Sequence, residues 1–378
     1  MEWLLTNGLG GFAMGSSDGI PRRRYHAFLT ASLTPPLERV VLLAHVADRV
    51  VLHPGTPHET SHDLGRFEFD ETPLPPDPRL VSSERGDGVR WTWDLDGVRV
   101  SRTLHLVRGR HACAVSYEAD VPARFECAPL IAMRDFHALR RLRQEEDPFR
   151  TWAIEDGVVV ACGDLGVTLR GSGTFDADRQ WWKGFRYSTE RDRGMDDIED
   201  LFCPGVFRGE TTLTLEASTD GLDIDVEASA REERARLTSM VERTGPIGAK
   251  ASSLVRAADA FVVTRAPDHT TILAGYPWFA DWGRDAMISL PGLLLVTKRF
   301  EEARSVLDLF RGHLRRGLIP NRFDDYGGEP HYNTVDASLW FVHACDALMR
   351  ETGPDEDLLD ACEEVLTWYR DGTDFGIG

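Results

Sequence analysis

The sequence predicts an α+β protein of two parts, an antiparallel β-sandwich followed by a layered array of helices, and three observations predict it. Short runs of β-branched and apolar residues, punctuated by turn pairs, fill residues 1 to about 225. Past Val226 the apolar residues recur at helical spacing. The later helices then alternate between ones that are apolar all round and ones with a single apolar face. The expected organisation is a sandwich domain over 1–225, a linker helix over 226–248 and a helical region from 249 to 378.

Strands are predicted at 24–32, 39–52, 89–94, 98–107, 111–118, 158–162, 167–169 and 211–215. Turn pairs such as Asp96-Gly97, Arg108-Gly109 and Asp156-Gly157 separate several of them, and nothing of helical length lies between most neighbours, so the strands pair antiparallel. The glycine-rich stretch 7–28 loosely imitates a dinucleotide fingerprint, but Gly15, Asp18, Gly19 and Pro21 forbid the helix that such a site needs. Tight turns at a sheet edge are the expectation, with the basic cluster Arg22, Arg23 and Arg24 as a paired strand end. His58-Glu59-Thr60-Ser61-His62 has the letters of a zinc-hydrolase helix. Pro54, Gly55 and Pro57 before it and Gly65 after it make it a hairpin instead. Residues 135–150 read as a charged loop or short helix, with Arg134, Arg140, Arg141 and Arg143 set against Glu145, Glu146 and Asp147. Residues 181–205 read as a surface excursion, in which at most one of Trp181 and Trp182 faces the core.

A charged helix over 227–243 ends at Thr244-Gly245-Pro246, and five helices follow at 251–264, 285–297, 300–315, 335–350 and 356–370. The second and fourth of these are nearly apolar all round and are expected to be buried. The third places Phe300, Ala303, Val306, Leu307, Phe310 and Leu314 on one face, and the fifth does the same with Leu358, Leu359, Cys362, Val365, Leu366 and Tyr369. Such alternation describes a double-layered ring of helical hairpins in which every second helix is inside. Consecutive inner helices then run parallel, and their amino ends open at one mouth.

That geometry singles out the stretch 274–291, where Tyr276, Trp278, Phe279 and Trp282 crowd around Arg284 and Asp285. Sugar sites use this mixture, because the apolar faces of a pyranose stack on indole while its hydroxyls bond to guanidinium and carboxylate. An ion pair at the start of a buried helix is the other reading of the same residues, and these residues alone leave both open. Asp285 begins one inner helix and Asp336 the next, so Trp282, Arg284, Asp285, Asn333 and Asp336 are expected at one pocket facing two helix amino ends.

Composition limits the partners. With 43 Lys and Arg against 62 Asp and Glu the formal charge is -19, which repels nucleic acid and anionic membranes and suits a neutral ligand. The six cysteines are scattered without a Cys-x-x-Cys, so reduced thiols in a cytoplasmic protein are expected rather than a disulfide framework or a zinc knuckle. No metal or organic cofactor is called for, and no signal-peptide pattern or run of membrane-spanning length is present. Composition leaves the oligomeric state open.

Four segments stand out together: Glu2-Trp3-Leu4-Leu5-Thr6-Asn7-Gly8-Leu9-Gly10-Gly11-Phe12 with Arg23-Arg24-Tyr25-His26, the stretch 190–207, Trp282-Gly283-Arg284-Asp285, and 317–323 through Tyr332-Asn333-Thr334-Val335-Asp336-Ala337. In these the sequence resembles the bacterial and archaeal glycogen debranching enzymes of amylo-alpha-1,6-glucosidase type. The resemblance implies an amino-terminal β-supersandwich followed by an (α/α)6 barrel, incomplete here. It also implies hydrolysis of the α-1,6-linked glucose stubs of glycogen, limit dextrin or a related α-glucan by an inverting pair of carboxylates. By the same analogy Arg284 and Asp285 hold the hydroxyls of the terminal glucose, Trp282 and Tyr276 shape the pocket, and Asn333 and Asp336 complete it. The family's acid lies in a Trp-Met-Asp motif that these 378 residues lack, and its base lies nearer the barrel's end. The chain is therefore expected to be the sugar-holding front part, inactive alone, with Asp285 and Asp336 as fallback catalysts. Uncovered inner helices would make it associate or dissolve poorly. Two rivals remain, a non-catalytic α-glucan-binding protein and another carbohydrate-active enzyme on the same barrel.

Overall fold

The computed structural model describes residues 1–142, 147–265, 267–324 and 327–373. It divides into two compact units. The first comprises Met1–Asn7, Gly11–Ala31 and Arg39–Glu233, and the second comprises Gly8–Gly10, Ser32–Glu38 and Arg234–Gly378.

In chain order the strands of the first part are β1 (Glu2–Thr6), β2 (Phe12–Ser16), β3 (Ala27–Thr34), β4 (Leu37–Leu52), β5 (Thr60–Asp63), β6 (Leu80–Arg85), β7 (Val89–Leu95) and β8 (Val98–Leu106). There follow β9 (Ala112–Ala119), β10 (Ala123–Asp135), β11 (Arg150–Ile154), β12 (Gly157–Cys162), β13 (Leu165–Gly171), β14 (Thr174–Arg186), β15 (Ile198–Glu210) and β16 (Thr212–Ser218), with the short helix α1 (Ser188–Asp192) between β14 and β15. One sheet has the order β1-β2-β3-β4-β10-β15-β14 with β5 added to β4. The other has the order β11-β12-β13-β16-β9-β8-β7-β6. Their inner faces share one core that includes Leu5, Val50, Trp91, Trp93, Val115, Phe125, Phe202 and Phe207. Alternation is what seats them: in β7, Val89, Trp91, Trp93 and Leu95 are buried while Arg90 and Asp94 are exposed. The β7–β8 turn uses Asp96 and Gly97, both at positive φ (55° and 87°), as a two-residue hairpin of this twist requires.

The hairpin reading of the His58–His62 stretch holds, since β5 pairs antiparallel with β4 through Leu52↔Thr60 and Val50↔His62. The glycine-rich start likewise forms the β1–β2 hairpin, with no helix. Two expectations fail. The 181–205 excursion in fact holds the end of β14, α1 and the first part of β15, and its strand pattern is hidden because β14 is an edge strand exposed along most of its length. The charged segment after residue 133 is anchored rather than solvated: Arg134 is buried against Glu199, and Arg140 donates to the Ala132 carbonyl and lies over the Phe149 ring. Arg143, Glu145 and Glu146 fall outside the described residues.

Asp18 ties down the β2–β3 connection. Its carboxylate accepts from both terminal nitrogens of Arg22 at 2.8 Å and from Ser16 Oγ at 2.6 Å. Burial acts to raise its pKa, but those hydrogen bonds outweigh it and bring the value from 3.8 down to about 2. A carboxylate depressed on folding adds stability above its unfolded pKa and loses it as pH falls through the folded value. Asp18→Asn is therefore expected to flatten the loss of stability between about pH 4 and pH 2 by about 1–2 kcal/mol, as read by urea melts at stepped pH.

After β16 come α2 (Val226–Arg243), which begins in the first unit and ends in the second, and then α3 (Pro246–Lys250) and α4 (Ser252–Asp259). The helix expected over 251–264 stops early because the β-branched run at 262–264 pairs instead, as β17 (Val262–Arg265) with β18 (His269–Ile272). Then come α5 (Gly283–Leu290), α6 (Phe300–Arg311), α7 (Ala337–Thr352) and α8 (Glu356–Asp371). Pro291 has no N–H to give the preceding turn, and the helix widens to a π turn over Pro291–Leu295 in which Val296 N bonds to Pro291 O at 3.0 Å. Met287, Leu290, Val306, Phe310, Phe341, Leu348 and Val365 form one core. The amphipathic α6 buries Ala303, Val306, Leu307 and Phe310 as patterned. The all-round apolar helices depart from the expectation of full burial. Ile288, Val296 and Leu339 are about half exposed, and so are Leu359 and Leu366 of α8. Among the described residues no helix is long and apolar enough to cross a membrane.

Candidate functional site

The aromatic stretch folds into a tight turn closed by Ala274 N to Ala280 O and by Phe279 N to Gly275 O, each 2.9 Å. Asp281 fixes its exit. This side chain is fully buried and accepts from Arg265 Nη1 at 2.6 Å and from Thr271 Oγ1 at 3.0 Å, so it fastens the turn to the β17–β18 hairpin. Burial pushes its carboxyl pKa up against the pull of Arg265 and Thr271. Trp282 is then extended (φ -105°, ψ 129°), forms a β-bridge with Arg322 and stands edge-on to Phe279 at 6.0 Å. Gly283 N donates to Asn321 O at 2.7 Å, and α5 starts there with Arg284 and Asp285 in its first turn.

The approach to α7 is pinned from several sides. Asn321 N donates to His331 O at 2.7 Å, Tyr332 Oη donates to His313 O at 2.8 Å, and Tyr369 Oη donates to Val335 O. At the helix start, Asp336 occupies the capping position but its side chain does not cap. Thr334 does that work: its Oγ1 accepts from Ala337 N at 3.3 Å and donates to Asp336 Oδ1 at 3.2 Å. The carboxylate of Asp336 is thus released from the helix end and faces Arg284, with Nη1 to Oδ2 at 4.0 Å and both side chains about half exposed.

The structure therefore brings Arg284, Asp285 and Asp336 to the amino ends of α5 and α7. It links Asn333 to them through Asn321, whose Nδ2 donates to Asn333 Oδ1 at 3.4 Å while its carbonyl holds Gly283. Trp282 sits directly before α5. Tyr276 is placed by a different contact, its ring tilted against Phe261 at 6.3 Å. Asp285 has no side-chain hydrogen-bond partner among the described residues. Sequence reasoning gave no role to Asp281, Asn321 or Thr334, the three residues that position this group. A lone Asp among aromatics was the only signal for the first. Chemically the group offers carboxylate acceptors, a guanidinium donor and an indole beside two helix amino ends, which is a cradle for hydroxyls. Among the described residues no cluster of His, Cys, Asp and Glu is arranged to hold a metal.

Residues 1–217 match the family described as glycogen debranching enzyme N terminal, and residues 256–378 match the one described as amylo-alpha-1,6-glucosidase. The chain belongs to the glycogen debranching enzyme family. A debranching enzyme of Saccharomyces cerevisiae is 44% identical over 79 residues, which cover 20% of this chain and 5% of the yeast protein. Among solved structures, a bacterial glucoamylase complexed with acarbose is similar with a TM-score of 0.55 at 12% identity, over 98% of this chain and 56% of that one. A human-microbiome protein described as a putative kojibiose phosphorylase has a TM-score of 0.48 at 10% identity, over 92% of this chain and 53% of that one. This debranching-family chain thus spans little more than half of the glucoamylase and a small part of the yeast enzyme. Its fold class is the expected one, a β-sandwich followed by helices of the (α/α)6-barrel kind.

Proposed function

We propose that this chain is the substrate-holding part of an enzyme that hydrolyses the α-1,6-linked glucose stubs of glycogen or a related α-glucan. In this reading Arg284, Asp285 and Asp336 bind the hydroxyls of the terminal glucose, Trp282 and Tyr276 shape the pocket, and Asn333 completes it. The reaction is inverting: one carboxylic acid protonates the leaving oxygen while a second carboxylate activates water on the opposite face. The observation that carries the reading is the release of Asp336 from capping by Thr334, which leaves it free to face Arg284 beside the amino end of α5. A structural Asp at that position would be expected to cap.

Glucose release from a phosphorylase-limit dextrin tests it, with this chain and with one extended through further helices. Release is expected from the extended chain only, and Asp336→Ala or Arg284→Ala in that chain is expected to lower it by about two powers of ten. Release by the 378-residue chain would overturn the assignment of acid and base to later helices, and its loss in Asp285→Ala or Asp336→Ala would make that residue the catalyst. A second reading keeps Trp282, Arg284 and Asp285 for recognition alone, glucan binding without turnover. Saturable binding with no release from either chain would establish that one.

A further inference from the structure

The outer face of the first sheet carries a trough of about 300 Å³ that the proposed reaction does not use. Small residues floor it: Ala47 of β4 lies opposite Ala128 of β10, and Val206 of β15 continues the floor. Two aromatic rings wall it, Trp182 from the edge strand β14 and Phe67 from the segment after β5, both half-buried. The buried Phe185 backs both of them, parallel to Trp182 at 6.3 Å and edge-on to Phe67 at 5.3 Å, so the rings are held and not free to fold away. At the other end stand Arg49, Asp63 and Glu126. Arg49 pairs with Asp63 at 2.8 Å and lies opposite Glu126 in the sheet register.

This combination selects a ligand class. Each carboxylate of the lining is paired with an arginine, Asp63 with Arg49 at 2.8 Å, Glu126 with Arg208 at 3.4 Å and the buried Asp48 with Arg102 at 2.9 Å, so the trough offers hydrogen-bonding groups without an unpaired charge for an ion. An anionic ligand is disfavoured further by the chain's charge of -19. A partly exposed indole over a floor of methyl groups suits the flat apolar face of a pyranose, and the polar end suits its hydroxyls. The volume lies at the lower end for small-ligand sites and fits a short oligosaccharide segment rather than a folded partner.

We propose that this trough, built wholly from sandwich residues, is a second saccharide-binding site that takes a segment of α-1,4-glucan stacked on Trp182. The choice of α-glucan among neutral saccharides rests on the function proposed above, whereas the stacking geometry does not. A branched polymer offers many chain ends and internal segments, so a second site would raise the effective concentration of stubs at the first.

Retention in native gels containing glycogen tests the proposal, with the helix-end site disabled by Trp282→Ala and Arg284→Ala. That background protein is expected to remain retarded, and adding Trp182→Ala is expected to weaken its apparent affinity about tenfold, the loss of roughly one stacking contact. Trp182→Phe, which keeps a ring, is expected to restore most of the retention, and matched melting curves show that the fold is intact. Unchanged retention after Trp182→Ala, or a background protein that glycogen does not retard, overturns the proposal. Retention by a β-1,4-glucan but not by glycogen overturns the ligand assignment. Absence of glucose release from limit dextrin by the extended chain, alongside Trp182-dependent retention, would remove the hydrolytic reading and leave this one standing.

Discussion

Glu199→Ala is expected to destabilise the sandwich by about 3–5 kcal/mol, the largest single-site loss anticipated in this part of the chain. Glu199 is fully buried and holds Arg134 through two contacts, Nε to Oε1 at 2.5 Å and Nη2 to Oε2 at 3.0 Å. The same carboxylate accepts from Tyr187 Oη at 2.6 Å and from Arg140 N at 3.1 Å. Arg134 in turn donates to the carbonyls of Arg24 and Phe136, so one guanidinium joins β3's approach, the end of β10 and the start of β15. Removing the carboxylate leaves a buried cation that cannot shed its proton, because a guanidinium stays charged at any pH a protein survives. Four donor atoms, Nε and Nη2 of Arg134, Tyr187 Oη and Arg140 N, lose an acceptor at the same time. Asp63→Ala provides the contrast, since its pair with Arg49 is more than half exposed and its loss should cost under about 1 kcal/mol. Equilibrium urea melts of the two variants check the difference. Equal midpoints would mean that the buried network is dispensable.

That network also shows where sequence reading reaches its limit. In sequence Arg134 reads with the charges of a solvated loop, because its partner lies 65 residues away and nothing local announces it. Strands with one buried face, such as β7 and β8, were legible from alternation, and the Asp96-Gly97 turn from its residue types. β10 was not legible, since it is buried on nearly every residue and contains Pro129. Proline in a central strand argues against that strand, yet here it falls where the β10–β15 register breaks between Cys127 and Ile131, so the β15 side asks for no regular bond at that residue. At the helices, the pairing of Asp285 and Asp336 at adjoining amino ends followed from the alternation of buried and amphipathic faces. The role of Thr334 did not follow, because Asp336 is the better capping residue by type. Only the side-chain geometry shows that the threonine caps and the aspartate side chain does not.

Gly283→Ala should disable the helix-end group without removing any polar atom from it. A Cβ at Gly283 would lie 2.1 Å from the Pro320 carbonyl oxygen and 3.2 Å from Phe310 Cε1, and a backbone oxygen cannot swing aside as a side chain can. The first turn of α5 must then move away from the 320–322 segment, which breaks the 2.7 Å bond from Gly283 N to Asn321 O and shifts Arg284 relative to Asp336. Overpacking of this kind costs about 1–3 kcal/mol. A displacement near 1 Å at a positioning residue costs about a hundredfold in rate or a comparable loss of binding. Gly292→Ala is the matched control on the same helical run. A Cβ there meets nothing within 4 Å, so melting temperature and glucan affinity should both stay close to those of the parent. Melting curves and maltooligosaccharide binding on the two variants separate the possibilities. Weakened binding by Gly283→Ala, with a fold that still melts cooperatively, would mean that the close approach of α5 to residue 320 aligns Arg284 with Asp336. Unchanged binding would mean that these two side chains do not act as a pair.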